Sequence, residues 1–568
     1  MTKGTGRHAI LEQLCADNIR YMFGNPGTVE QGFLDALADV PDIEYILGLH
    51  ETVALGIADG YARATKSATV VQLHTGVGLG NGIGMMYQSL RGHAPLVVLA
   101  GEAGLCYDAM DAQMACDLVA MAKPVTKWAA RVTDNQSLLR LLKRAIRIAS
   151  TPPMGPVFLA LPMDVLDEQN NEQITATSIP STRTAPDAGT VQAMSEILLK
   201  AESPMIIMGD GVAVSGAQNE LAEVATLSGA AVWGSDSSEL NIDTEHPCYQ
   251  GLLGHMFGTH SAPIVSQADV VLIVGTYVFP EVFPLFSNVF APNAKVMHID
   301  LNAYEIAKNF SVELGVVADP KCTLSLMAKS LGNDASKDQR QQAAMRVNAL
   351  GEKKVAARDN IMKNHRAAWN DVPLRPARFM DALAKRLDGS AIIFDEALTA
   401  SPELNFYIPP RRPGQFFQTR GGSLGVGIPG AIGLKLANPD RTVVGLTGDG
   451  GSMYTIQSLW TAAKYNIGAK FIICNNHSYK LLKLNVMQYW RERDIPEHEF
   501  PPMFDLSRPP VDFVRLAESL HVPAARIERP EDIDTVLDQA FAGEGPFLID
   551  LVISGDVPGH EIACRCGQ

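Results

Sequence analysis

Asp449 and Asn476 lie 27 positions apart, and each closes an apolar run. Asp449 sits in Gly448-Asp449-Gly450-Gly451 after Thr442 to Leu446, and Asn476 sits in Asn475-Asn476 after Phe471 to Cys474. A carboxylate and an amide oxygen are hard ligands of the kind Mg²⁺ takes when it bridges phosphate oxygens. A glycine turn opening a helix leaves free N–H groups for the phosphate itself. In a right-handed strand-helix-strand unit both strands are parallel, so the two residues emerge at one carboxyl edge. The apolar spacing of Ile456, Leu459, Trp460 and Ala463 predicts that one helix fills Met453 to Ile467. The chain holds its own control at Gly209-Asp210-Gly211, where the same interval leads to Asp236-Ser237 and the paired asparagines are missing. That copy reads as a turn before a helix.

Three further positions could do chemistry, and each has a plain structural reading. Glu51 follows Gly48-Leu49-His50 at the start of a helix reading TVALGIADGYARAT, where the helix dipole alone favours an acid. His74 stands at a strand end before a glycine-rich turn. Thr28 follows the turn Gly24-Asn25-Pro26-Gly27, and with Gln31 it predicts a capping box for a helix beginning at Val29. Cys564 and Cys566 are two apart but lack neighbouring ligands, so they read as exposed thiols.

These residues need an α/β frame to bring them together. The alternation of strand and helix predicts three doubly wound parallel-sheet domains: residues 1–180, 188–332 and 373–555, with a tail at 556–568. The middle domain reads as Rossmann-like, with strands at 205–208, 231–233, 270–274 and 296–299. No Gly-x-Gly-x-x-Gly follows them, so no dinucleotide is expected. Residues 180–187 read as a linker, 332–372 as a charged helical connector, and 547–553 as a final strand.

The 568 residues, 46% of them hydrophobic, are too many for one core and suit about three domains. Lys plus Arg number 47 against 62 Asp plus Glu, a net charge of −15 with no basic block, which argues against nucleic acid and acidic membranes as partners. The start of the chain lacks a signal-peptide core, no stretch reads as membrane-spanning, and eight scattered cysteines suit a reducing compartment. A cytoplasmic enzyme acting on small molecules is the expectation.

Gly-Asp-Gly followed at this interval by Asn-Asn resembles the cofactor motif of the thiamine diphosphate-dependent enzymes. The resemblance implies that Asp449, Asn476 and the carbonyl of Ser478 hold Mg²⁺, with Gly450, Gly451, Ser452, Thr399, Gly422 and Tyr479 around the cofactor. Leu424, in Arg420-Gly421-Gly422-Ser423-Leu424-Gly425, becomes the apolar wedge that bends it. Glu51 becomes the acid that activates it through its pyrimidine ring. The first and third domains are then the pyrimidine-binding and diphosphate-binding domains, and in this family they come from different subunits, which implies a homodimer at least and a homotetramer as the expected assembly.

Asn25-Pro26-Gly27-Thr28, Glu51 and Leu73-His74-Thr75 together look like the benzoylformate decarboxylases. In that likeness Asn25 and Pro26 lie by the cofactor, Thr28 holds the substrate carboxylate and His74 relays protons. Leu481 and Asn485 line a substrate pocket narrower and more polar than one made for a phenyl ring. A middle-domain histidine of those enzymes falls here on Val282, with Glu281, His255 and His260 as candidate stand-ins. The implied activity is non-oxidative decarboxylation of a 2-oxo acid to an aldehyde. The alternatives are an acetolactate synthase-like carboligase or lyase of 2-hydroxy ketones or 2-hydroxyacyl adducts, and a cofactor-binding scaffold without turnover.

Overall fold

The structure is a computed structural model that describes residues 4–557 apart from 236, 255, 278 and 280. Asp236, His255, Cys564, Cys566 and nearly all of the tail therefore lie outside the described residues. Three six-stranded sheets account for the fold, and every strand pair in them is parallel. Parallel sheets carry helices on both faces, which requires strands that are apolar on both faces. The central runs meet that demand: all five residues of Val270–Val274 are buried, as are the first five of Val443–Gly448.

The first sheet holds β1 (Tyr21–Gly24), β2 (Glu44–Leu47), β3 (Thr69–His74), β4 (Leu96–Glu102), β5 (Trp128–Arg131) and β6 (Val157–Pro162), in the order β2-β1-β3-β4-β6-β5. The second holds β7 (Pro204–Met208), β8 (Ala231–Gly234), β9 (Tyr249–Leu252), β10 (Val270–Val274), β11 (Lys295–Asp300) and β12 (Leu314–Val317). Its order, β12-β11-β10-β7-β8-β9, is that of the dinucleotide-binding Rossmann sheet. The third holds β13 (Ile392–Glu396), β14 (Phe416–Gln418), β15 (Val443–Gly448), β16 (Lys470–Asn475), β17 (Ala524–Ile527) and β18 (Phe547–Val552). It runs β14-β13-β15-β16-β18-β17, which repeats the first sheet position for position. By that equivalence β3, ending at His74, corresponds to β15, which leads into Asp449.

The first and third sheets share one hydrophobic cluster, in which Phe23, Leu55 and Ile57 join Phe394, Ile428 and Ile432. The join is a crossing of the helix Glu51–Thr65 with the helix Gly427–Ala437. It is close enough that a methyl group on Gly60 would collide with the Gly430 carbonyl, and one on Gly433 with that of Ile57. Arg63, fully buried, lies over the rings of Phe394 and Phe417 and donates to the carbonyls of Ser238 and Gln418, so one side chain ties all three domains. The charged connector is a helix, Lys337–Ala367, that opens on a capping box of Ser336 and Gln339.

Two local expectations fail. The helix expected over Met453 to Ile467 forms only at Ser458–Lys464, and a separate short helical piece, Asp449–Ser452, precedes it. Thr455, buried between the pieces, donates to the Gly425 carbonyl at 2.6 Å, so a contact with the preceding loop outweighs helical continuity. The capping box at Thr28 does not form either. The helix begins at Gln31 behind Glu30, with no side-chain cap, and Thr28 is exposed.

Candidate active site

Gly448 ends β15 and Asp449 opens a four-residue helical turn. The Asp449 Oδ1 accepts from the Gly450 N–H at 2.9 Å, and its Oδ2 accepts from the Ser478 N–H at 3.2 Å. Asn476 Oδ1 accepts from the same Ser478 N–H at 2.9 Å, so the two side-chain oxygens converge on one point. The parallel pairing of β15 with β16, Gly448 opposite Cys474, brings them to one edge. Asn475 donates to Asp550 at 3.0 Å and accepts from the His477 N–H at 3.3 Å.

Burial pushes the Asp449 carboxyl up, and the N–H groups of Gly450 and Ser478 pull it back. Among the described residues no lysine or arginine pairs with Asp449, although it is only 6% exposed. A buried carboxylate in that condition fits a bound cation, and the oxygen donors around it are the kind Mg²⁺ prefers. A cavity of about 260 Å³ opens beside it, lined by Asp449, Gly450, His477 and Tyr479 and, opposite, by Arg508 and Phe513. The Tyr479 ring lies so close to Gly450 that a side chain there would strike it, while a methyl on Gly448 would meet nothing. Gly451 and Ser452 are buried in the same turn, where Ser452 donates to the Asp449 carbonyl. These residues fit a diphosphate with its metal ion.

Thr399, Gly422 and Leu424, the other cofactor residues expected in the third domain, are not in the wall of that cavity. Thr399 is half-buried in the turn Leu398–Ala400. Gly422 adopts φ +77° in open space. Leu424 is half-buried and outside the hydrophobic clusters, as a wedge facing a ligand would be and a core leucine would not. Behind it Glu396, fully buried, accepts from the N–H groups of Gly425, Val426 and Gly427 and from Thr447 Oγ1, fixing the loop that carries Leu424. Leu481 and Asn485 are half-buried one turn apart on the helix Lys480–Glu492.

A second polar cluster gathers at the carboxyl edge of the first sheet. Glu51 opens its helix and is 5% exposed. Its Oε1 accepts from Asn25 Nδ2 at 3.2 Å and its Oε2 from Asn81 Nδ2 at 3.0 Å, so two amides hold the carboxylate. His74 ends β3, and its Nδ1 lies 3.0 Å from Glu30 Oε2. The next residue, Thr75, takes φ +41° and opens the helix Thr75–Arg91 at once. A β-branched residue with positive φ is strained, and such strain collects at functional sites. Leu398 (φ +49°), before Thr399, and His477 (φ +51°), between Asn476 and Ser478, also take positive φ. Thr28 and Pro26 are exposed beside this cluster.

In the middle domain Val282 is exposed, Glu281 is buried and accepts from Ser261 at 2.6 Å, and His260 is exposed against the Phe257 ring. Asp210 opens a short helix and accepts from the Ser238 N–H at 2.7 Å, as its reading as a turn requires.

Sequence reasoning missed Glu30, Asn81 and Glu396. Glu396 follows the apolar run Ala391 to Phe394 after one intervening residue, Asp395, and Asn81 is an amide within a helix of small residues. Glu30 gave no signal, because its partner is 44 positions away.

Residues 4–121, 191–327 and 400–551 match the family models for the N-terminal TPP binding domain, the central domain and the C-terminal TPP binding domain of thiamine pyrophosphate enzymes. The chain belongs to the thiamine pyrophosphate enzymes. Within that class it is 29% identical to a probable acetolactate synthase large subunit of Methanococcus aeolicus, over 96% of this chain and 92% of the relative. It is also 29% identical to a benzoylformate decarboxylase of Pseudomonas aeruginosa, over 83% and 84%. The thiamine diphosphate-dependent 4-hydroxybenzoylformate decarboxylase of Rhodococcus jostii superposes with a TM-score of 0.84 at 27% identity, covering 97% of this chain and 99% of that one. The protein is thus a thiamine diphosphate-dependent enzyme of the group that contains decarboxylases and acetolactate synthases.

Proposed function

We propose that this enzyme decarboxylates a 2-oxo acid without oxidation and releases an aldehyde, using thiamine diphosphate and Mg²⁺. The observation that carries the reading is His74, half-buried at the end of β3 with Nδ1 committed to Glu30, while Nε2 has no protein partner among the described residues. A ring held in that way can deliver a proton to the carbon that has lost carbon dioxide. Asp449, Asn476 and the Ser478 carbonyl hold the metal ion, and Gly450, Gly451 and Ser452 meet the diphosphate. Bound thiamine diphosphate supplies a nucleophilic carbon and an electron sink. Glu51, fixed by Asn25 and Asn81, holds a proton at the pyrimidine ring. Thr28 binds the substrate carboxylate, and Leu481 and Asn485 bound the pocket.

No hydrogen bond or ion pair among the described residues joins Glu51 to Asp449, and the cavity at Asp449 has no first-domain residue in its wall. Exposed apolar side chains lie near each cluster in sequence, Leu49 and Val77 on one domain and Met453 and Tyr454 on the other. A site completed across a homodimer accounts for both facts, with pairing of dimers into a tetramer. No described helix is long and apolar enough to cross a membrane, and the cysteines at Cys15, Cys106, Cys116, Cys248, Cys322 and Cys474 are free thiols. Both suit a cytoplasmic setting.

The second reading is a carboligase. It is favoured by Val282, which offers no proton where the benzoylformate decarboxylase pattern has a histidine. Incubating the holoenzyme with a panel of 2-oxo acids separates the two. Aldehyde in proportion to carbon dioxide supports the decarboxylase, a 2-hydroxy ketone or 2-hydroxy acid adduct supports the carboligase, and no gas from any acid ends the first reading.

A further inference from the structure

Glu30 is an acid that nothing in the sequence singles out, yet it is 1% exposed and its carboxylate faces the imidazole of His74, with contacts of 3.0 and 3.3 Å from its two oxygens to Nδ1. Burial raises its carboxyl above the usual range and the facing imidazole draws it back down. Among the described residues His74 is its only ion-pair partner. The chain leaves room for the pair on two sides. A methyl group on Gly101, in β4, would strike the Glu30 carboxylate, and one on Gly27 would strike the His74 ring. Two glycines, in separate elements, are thus fitted to one acid and one base.

We propose that Glu30 is the positioning residue that sets the working tautomer of His74. This rests on the reading of His74 as the proton relay. A carboxylate at Nδ1 selects the neutral ring that carries its proton on Nδ1. Nε2 is then left with a lone pair, turned away from Glu30 and free of protein partners. When Nε2 takes up a proton the ring becomes cationic, and the adjacent carboxylate stabilises it. When Nε2 gives the proton to the substrate carbon, the ring returns to the starting tautomer with no rotation. Glu30 itself neither gains nor loses a proton in the cycle. Without it the neutral ring prefers to keep its proton on Nε2, and it can no longer collect one there.

The test starts with the tautomer, read from the ¹⁵N shifts of histidine-labelled protein in the absence of cofactor and substrate. The His74 signal is assigned by its loss in His74→Asn. The neutral ring of the unmutated protein is expected to carry its proton on Nδ1; a proton on Nε2 overturns the proposal, whatever any variant does. Glu30→Leu, close in volume and unable to accept a hydrogen bond, should move the proton to Nε2 and lower kcat by roughly 10- to 100-fold with little change in KM. Glu30→Gln, whose amide oxygen can still accept from Nδ1, should keep the tautomer and recover part of the rate. A Leu variant that keeps both the tautomer and the rate overturns the proposal. Because the shifts are read without turnover, they stand or fall separately from the decarboxylase reading: the tautomer can follow Glu30 even if no 2-oxo acid is consumed.

Discussion

Glu51 and Asp449 are both nearly buried acids, yet their surroundings give them different work. Glu51 is held at each oxygen by an amide, which keeps it oriented without neutralising it, whereas Asp449 meets backbone N–H groups and no cationic side chain among the described residues. Replacing Glu51 by Gln preserves the shape and removes the acid. Proton exchange at the thiazolium carbon of bound cofactor, followed by NMR after a deuterium jump, should slow by on the order of 100-fold or more. Unchanged exchange would remove Glu51 from the mechanism. Asp300 carries a different prediction. It ends β11 in a cavity of about 340 Å³ between the first and middle domains, and burial raises its carboxyl from 3.8 to about 6. A raised acid favours the folded state while protonated, so its stabilisation is full below the unfolded value and is lost as pH rises through about 6. Asp300→Asn should flatten the melting temperature between pH 4 and 6 relative to the unmutated protein; parallel curves would count against the shift.

At the scale of elements, the crossing of the Glu51 helix on the Gly427 helix fixes where both halves of the site begin. Glycines allow it, since Gly60, Gly430 and Gly433 leave no space for a methyl group. Gly433→Ala should therefore destabilise the fold by about 1–3 kcal/mol, despite the better helix propensity of alanine, because backbone must move to admit it. Denaturant unfolding measures this, and a gain in stability would show that the helices part easily. Strand runs such as Val270–Val274 and Phe471–Cys474 were plain in the sequence because they are buried on both faces. Of the six strands it did not announce, five, β5, β9, β12, β14 and β17, lie at sheet edges, where half-exposed and shorter runs leave a weaker pattern, while the sixth, β6, is an interior strand buried throughout. The break at Thr455 was equally silent, since its cause lies 30 positions back at Gly425.

For the whole molecule the question is which chain completes which site. Glu51→Gln and Asp449→Ala each disable one half. If a site takes its first domain from one subunit and its third from the other, a mixed dimer has one site with both defects and one with neither. Co-expression of differently tagged chains, with purification through both tags, should then restore activity that neither variant shows alone. If the mixed dimer stays inactive, each site is built within one chain and the dimer reading fails.

The sequence by itself determined the parallel α/β class and the strand-turn-helix-strand order around Asp449 and Asn476, because each is written in local order as apolar runs and a glycine turn; Glu51, at a helix start, stood out only through a resemblance. Tertiary structure decided what those groups face. That two amides grip Glu51, that a silent glutamate backs His74, and that Glu396 steadies the Leu424 loop all depend on segments brought together from 26 to 44 positions apart. Such pairings arise from strand order and helix crossing, which hydrophobic burial selects for the chain as a whole and which no short stretch encodes.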